Sequence, residues 1–327
     1  MEEELAMADN QYLYEVARIR TKELSLLSAE FFEQLLSAPD YDACIRLLKE
    51  KGWESGRDDW EEMLAKERQK TWELMEELVG DTSVFDVFLY GNDYSNLKAA
   101  VKSCRHRTEL SNIYIDQGTV PVSTIRTAVL ENRFEDLPEA MREPAREAQT
   151  VLLQTSDGQL CDVIIDRAAL EAVYRAGKES GNEFLRLYGE LTVACADIKI
   201  AVRASRTGKS REFLERALAP CDSLDIRRLT EAALEGGEAV EHYLYTTEYH
   251  EGAAEMKQSL SAFERWCDNL MIQRIRPQLY NAFGIGPLAA YILARESEIK
   301  SVRIVLSGKK NHLPDQSIRE RVRETYV

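Results

Sequence analysis

Nowhere in the 327 residues do eighteen apolar residues run together, so the sequence offers no segment to span a bilayer core. The opening Met1-Glu2-Glu3-Glu4 is acidic with no apolar run behind it, and it does not read as a secretory signal. There are only four histidines. His242 and His250, eight apart, would fall two helical turns from one another, but no short-range thiol or carboxylate pattern accompanies them, so no metal site is expected. Six cysteines, Cys44, Cys104, Cys161, Cys195, Cys221 and Cys267, contain no C-x-x-C pair. A disulfide framework or zinc site is therefore not indicated, and a reducing cytoplasm is the simpler setting. Excess positive charge is also missing. With 57 acidic against 42 basic residues and a net charge of -15, the chain lacks the basic face of a dedicated nucleic-acid binder.

What is present is a repeat. A polar–aliphatic–lysine tripeptide occurs as Asn96-Leu97-Lys98, Asp197-Ile198-Lys199 and Glu298-Ile299-Lys300, each 101 residues after the last. Three copies of one unit imply a stacked or ring-like body that offers a surface to partners. Pro and Gly punctuation places the units at 1–117, 118–216 and 217–327. A second match supports the reading: Phe31 to Pro39 resembles Phe213 to Pro220. Basic residues follow each lysine, with Lys102, Arg105 and Arg107 in the first copy. Arg203, Arg206 and Lys209 follow in the second, and Arg303, Lys309 and Lys310 in the third. Cations at a helix C-terminus gain from the helix dipole, which explains most of the clustering. Arg105, Arg206 and Lys309 are the candidates for partner contact, as part of a positive rim.

The periodicity is helical almost throughout, and the fold class expected is all-α. Ser28 and Asp40 read as N-caps, Gly52 as a stop, and Trp60 to Leu78 as a long amphipathic helix. Asp86 to about Arg107 follows, interrupted near Gly91. Pro138 and Pro144 are expected to bracket a turn before a helix from Ala145. Asp157-Gly158 and Gly181-Asn182 punctuate two more helices, the second running from Glu183 to Arg206. In the last unit, Leu288 to Leu306 forms the lysine helix, stopped by Ser307-Gly308. A short charged helix is expected from Asp315 to Tyr326. Tyr326 itself either anchors an interface or tucks against that helix.

Chemistry is weakly signalled. Gly208-Lys209-Ser210 looks like the end of a phosphate loop, but the leading glycine would fall on Arg203 and the preceding segment is helical. Glu296 and Lys300 are spaced as an i,i+4 pair, and Trp53, Trp60, Trp72 and Trp266 suit helix packing. No Ser-His-Asp or Cys-His arrangement has a supporting context, so no catalytic residue and no cofactor is assigned. A helical-repeat scaffold for a soluble partner is one reading of these features, and an enzyme would require a deep pocket of convergent polar groups.

Several segments carry a family likeness. Tyr14-Glu15-Val16-Ala17-Arg18-Ile19-Arg20 with Leu24-Ser25-Leu26-Leu27-Ser28 resembles the opening of the C subunit of archaeal and bacterial V-type ATPases, whose eukaryotic counterpart is the d subunit. Asp93-Tyr94-Ser95-Asn96-Leu97-Lys98 also fits. The ending is more specific: Phe283-Gly284-Ile285-Gly286-Pro287-Leu288, then Ala290-Tyr291, Glu296, Glu298-Ile299-Lys300, Arg303-Ile304 and Gly308-Lys309, closing with Ile318 to Val327. The resemblance spans nearly the whole chain and is weakest from about Thr108 to Gly177. It implies three similar all-helical domains around a funnel-like centre. It also implies a rotor adapter without chemistry of its own, set between the D and F subunits of the central shaft and the ring of membrane proteolipids.

Overall fold

The computed structural model describes residues 12–54, 59–106 and 113–327, with the side chains of 105 and 106 left outside. Among the described residues there is no strand, and the all-α expectation holds. The helices are α1 (Leu13–Glu23), α2 (Ala29–Ser37), α3 (Tyr41–Glu50), α4 (Trp60–Val79), α5 (Tyr90–His106), α6 (Val122–Glu131), α7 (Glu139–Thr155) and α8 (Gly158–Glu179). They continue with α9 (Glu183–Thr207), α10 (Arg211–Ala217), α11 (Ile226–Glu235), α12 (Gly237–Leu244), α13 (His250–Gln258), α14 (Leu260–Ile275), α15 (Gly286–Lys310) and α16 (Asp315–Arg319). Short 3-10 turns cover Ser83–Phe88, Phe134–Asp136 and Arg276–Tyr280. Among the described residues no helix is long and apolar enough to cross a membrane.

Local chemistry sets the ends of these helices. Ser28 accepts from the Phe31 N–H at the start of α2, and Asp40 from the Ala43 N–H, at 2.8 Å, at the start of α3. Asn182 caps α9 with one side-chain oxygen that receives both the Phe184 and Leu185 N–H groups. Each cap satisfies donors that the first turn cannot use, a contribution of about 1 kcal/mol. The likeness between residues 31–39 and 213–220 is structural as well. Ser210 caps α10 as Ser28 caps α2, each short helix ends before an Ala-Pro pair, and an aspartate, Asp40 or Asp225, then caps the next helix.

The chain divides into two compact units. One consists of Ser83–Ala253. The other joins the described residues up to Thr82 to Ala254–Val327, so the two ends of the chain share one core. In that unit Phe31, Phe32, Leu35 and Leu36 of α2, Cys44, Ile45 and Leu48 of α3, and Met63 and Leu64 of α4 cluster with Ile299, Val302, Val305 and Leu306 of α15. Helix α15 is buried over most of its length, with Lys300, Arg303 and Lys310 its exposed residues.

In the unit Ser83–Ala253, Tyr94, Leu97 and Val101 of α5 pack with Ile125 and Val129 of α6, Met141, Ala145 and Ala148 of α7, and Cys161 and Ile165 of α8. Helices α8 and α9 cross at two glycines. A methyl on Gly177 would lie 2.7 Å from the Leu185 carbonyl oxygen, and one on Gly189 would lie 3.1 Å from that of Val173. Only hydrogen at both positions allows backbones this close.

Three sequence expectations are corrected. Pro144 does not close a turn but sits inside α7. Proline removes the N–H that would bond the Ala140 carbonyl. The Tyr94 hydroxyl of α5 donates to that carbonyl at 3.2 Å, supplying the missing partner. Gly308 does not end the lysine helix. It lies within α15 because the Ile318 side chain occupies the space beside it, 2.6 Å from where a β-carbon would be. Finally, the last helix stops at Arg319, and after a turn the chain goes on without regular secondary structure. Its backbone is taken up by side chains: Asn269 accepts from the Glu324 N–H at 2.9 Å and Arg276 donates to the Thr325 carbonyl at 2.7 Å. Tyr326 is buried at the end of this tail.

Candidate partner surface on the lysine helices

The repeated tripeptide lies on α5, α9 and α15, and its burial pattern is the same in each. Residues 93, 96, 97 and 100 form one helical stripe at spacings of three and four. On α5 they are Asp93, Asn96, Leu97 and Ala100, all buried. The residues 101 further on, Ala194, Asp197, Ile198 and Ala201, are buried on α9. Those after another 101, Arg295, Glu298, Ile299 and Val302, are buried on α15. A polar residue inside an apolar stripe must find a partner.

In all three copies the polar residue of the tripeptide grips backbone from another segment. The Asn96 amide makes two bonds to Ile115, accepting from its N–H and donating to its carbonyl, both at 2.8 Å. Asp197 accepts from the Ala219 N–H at 3.0 Å. Glu298 accepts from the Leu27 N–H. Asp93, one turn before Asn96, receives the Thr119 and Val120 N–H groups and the Thr119 hydroxyl, the last at 2.6 Å. These clamps were not singled out in the sequence, where the lysines drew attention. The signal that marks them is a polar residue directly before the first of two apolar residues spaced three apart, Leu97 and Ala100, Ile198 and Ala201, Ile299 and Val302.

Glu298 belongs to a buried ionic group. Arg295 bonds Glu298 and, at 2.5 Å, Glu67 of α4, while its guanidinium lies 5.3 Å from the centre of the Trp53 ring. Burial pushes the Glu298 carboxyl up to about 7, against the attraction of Arg295. One guanidinium shared by two carboxylates fixes α4 against α15, since removing either partner strands a buried charge.

The lysines themselves lie at the edge of the stripe. Lys98 of α5 pairs with Asp166 of α8, and Lys102, one turn on, bonds Asp162 at 2.8 Å. Lys300 of α15 meets Asp268 of α14 at 2.5 Å, and Arg323 bonds the same carboxylate at 2.7 Å. Lys199 is half-buried on α9. The expected Glu296–Lys300 pair is not formed. Glu296 instead takes a two-bond grip from Arg68 of α4, at 2.8 and 2.9 Å. Planar guanidinium matches carboxylate geometry better than a lysine on the same helix does.

The three candidate contact residues differ in placement. Arg206 is exposed on the last turn of α9, where it complements the helix dipole. The side chain of Arg105, on the last turn of α5, lies outside the described residues. Lys309 is buried: its ammonium donates to the Leu36 and Ala38 carbonyls at 2.8 and 2.7 Å and to Asp315 at 2.7 Å. All three donors are used inside the chain, so Lys309 holds α2 and α16 to α15. Its neighbours Arg303 and Lys310 are exposed and lie over the rings of Trp60 and Tyr41.

Elsewhere the chemistry is structural. Gly208 is the left-handed end of α9 and Ser210 the cap of α10, so Gly208-Lys209-Ser210 is a helix junction. Burial pushes the Cys44 and Cys161 thiols up to about 11 and Cys221 to about 12, which disfavours the thiolate. A groove of about 540 Å³ in the unit containing both chain ends is bordered by Phe32, Trp266 and Val322 together with Arg265, Arg276, Arg319 and Arg323. Each of these arginines is met by a carboxylate, from Glu255, Glu324, Glu33 and Asp268 respectively. Among the described residues no group of three His, Cys, Asp or Glu side chains is placed to hold a metal ion.

These features define an all-helical protein whose buried polar chemistry locks helices together. Comparison with known proteins makes the assignment specific. Residues 16–321 match the ATP synthase (C/AC39) subunit family, and the chain belongs to it. It is similar to the C subunit of the V-type sodium ATPase of Enterococcus hirae, with 24% identity over 94% of this chain and 97% of that protein. The C subunit of the V-type ATP synthase of Thermus thermophilus is 24% identical over 97% of this chain and 99% of its own length. The C subunit of the A-type ATP synthase of Methanocaldococcus jannaschii is 21% identical over 94% and 85%. The chain is thus a structural stalk component of a V-type ATPase or ATP synthase, not a catalytic one.

Proposed function

We propose that this chain is the rotor adapter of the central stalk. It links the shaft formed by the D and F subunits to the membrane proteolipid ring and transmits torque between them. It has no cofactor and no nucleic-acid partner, and it is a peripheral component on the cytoplasmic face of the membrane. The observation that carries the reading is the family match over residues 16–321. Torque transmission demands a body that does not shear, and the buried clamps on α5, α9 and α15 are suited to that load. Their recurrence every 101 residues supports three related copies, which we place with boundaries near 117 and 216. In such a body the N-terminal α2 and α3 contribute to the copy built on α15. Exposed Arg206, together with Arg105, is the proposed part of a positive rim that receives acidic groups of a partner. The test is assembly with and without this chain. The D–F shaft and the proteolipid ring should co-purify, with ATP hydrolysis coupled to ion flux, only when it is present. Retention of both properties without it refutes the proposal.

A further inference from the structure

Asn96 and Asp197 occupy the same place in the repeat, 101 residues apart, yet their side chains differ in what they can do. The amide of Asn96 accepts through its oxygen and donates through one N–H, both to Ile115. Asp197 is 0% exposed. One of its oxygens accepts from the Ala219 N–H, and the other, buried, has no partner among the described residues. An ionised carboxylate in such a place needs several donors and is offered one. A neutral carboxylic acid has an acceptor oxygen and one O–H donor, the two roles that the Asn96 amide uses on Ile115.

The surroundings do not supply a compensating charge in contact. Arg167 of α8 favours the ionised form from a distance, but its guanidinium is committed to Glu171 and to the Glu215 carbonyl, at 2.8 and 2.7 Å. Glu190 of α9 itself opposes ionisation. Helices α10, α11 and α12, which also pack on α9, contribute the buried side chains Leu214, Leu229, Ala233, Val240 and Leu244. Cys221, beyond Ala219, has its thiol pushed up first by burial and then by Glu190 and Asp197.

We propose that Asp197 works in its neutral form, as the acid counterpart of the Asn96 amide, and that loss of its proton to solvent releases the turn at Ala219 from the second lysine helix. The turn is a surface segment, since Pro220 and Asp222 are exposed. Its far side is held independently. Glu190 accepts from the N–H groups of Asp222 and Ser223, and Asp222 is engaged by Tyr174 and Lys178. Release is therefore confined to the Ala219 end, and the chain carries a local device that loosens as pH rises from acid toward about 8. Desolvation of the buried carboxyl, which raises its pKa to about 8, fits this assignment. The group binds its proton more tightly in the closed turn than in an open, solvated one. The latch is then strongest in acid and weakens as pH rises toward about 8, levelling off above it.

Amide-resolved hydrogen exchange on the full chain, corrected for intrinsic exchange rates, tests the latch. Between pH 5 and 8 the protection of Ala219 should fall by up to about tenfold per pH unit, while the amide of Ser223 keeps its protection. In Asp197→Asn the Ala219 profile should be flat. Parallel profiles in wild type and Asp197→Asn overturn the proposal. Asn96→Asp gives a second, independent arm, because it installs the same chemistry in the first copy. The Ile115 amide should then acquire the falling profile, and a flat one also overturns the proposal.

Discussion

Pro144 and Tyr94 make a pair whose energetics can be worked through. Helix α7 should not tolerate a proline at its sixth residue without a remedy, because the Ala140 carbonyl loses its i+4 donor. The remedy is the Tyr94 hydroxyl at 3.2 Å. The bond is at the long end of the range and partly buried, so Tyr94→Phe should cost about 1 kcal/mol and not the full penalty of a dry orphaned carbonyl. Burial pushes the Tyr94 hydroxyl up to about 12, so it remains a donor from pH 6 to 9. Pro144→Ala restores a backbone N–H aimed at the same carbonyl. In that background Tyr94→Phe should cost close to nothing, giving a coupling of about 1 kcal/mol in a double-mutant cycle. The assay is urea unfolding of the four proteins followed by far-UV circular dichroism, with m-values compared to confirm a common unfolded state. Additivity within about 0.3 kcal/mol would refute the idea that the hydroxyl replaces the missing amide.

Three further outcomes are expected. Lys309→Met should destabilise the unit of the chain ends by about 3 kcal/mol, since two buried carbonyls lose their donor, while partner binding by the folded fraction is unchanged. A mutant of full stability with weakened binding would return Lys309 to the surface. Gly177→Ala should lower the unfolding midpoint through about 1–3 kcal/mol of overpacking against the Leu185 carbonyl, with Gly189→Ala milder because its nearest atom is farther away. Equal effects would mean that the two helices separate freely. Gly308→Ala should cost a similar amount by striking Ile318, and adding Ile318→Ala should cost less in that background than alone. Thermal unfolding of the single and double mutants measures this.

Residues that act on their own neighbours were legible in the sequence. Ser28 and Asp40 are caps because a short polar side chain reaches an N–H group three residues ahead, and that geometry is local. The long helices around Lys98, Lys199 and Lys300 follow from apolar periodicity, and the 101-residue register follows from repetition of the motif. The family likeness of the opening and closing segments was also readable, and residues 16–321 place the chain in that family. What sequence alone left undecided depends on atoms far along the chain. Pro144 reads as a breaker until Tyr94, fifty residues earlier, supplies a donor to Ala140. Gly308 reads as a stop until Ile318 fills the space at its side. Lys309 reads as a free cation at a helix end until the carbonyls of Leu36 and Ala38 arrive from the other end of the chain. Asn96, Asp197 and Glu298 were visible only as prefixes to lysines. Their role as clamps emerged when tertiary packing removed water from them, because a buried polar group must be bonded by whatever backbone the fold brings within reach.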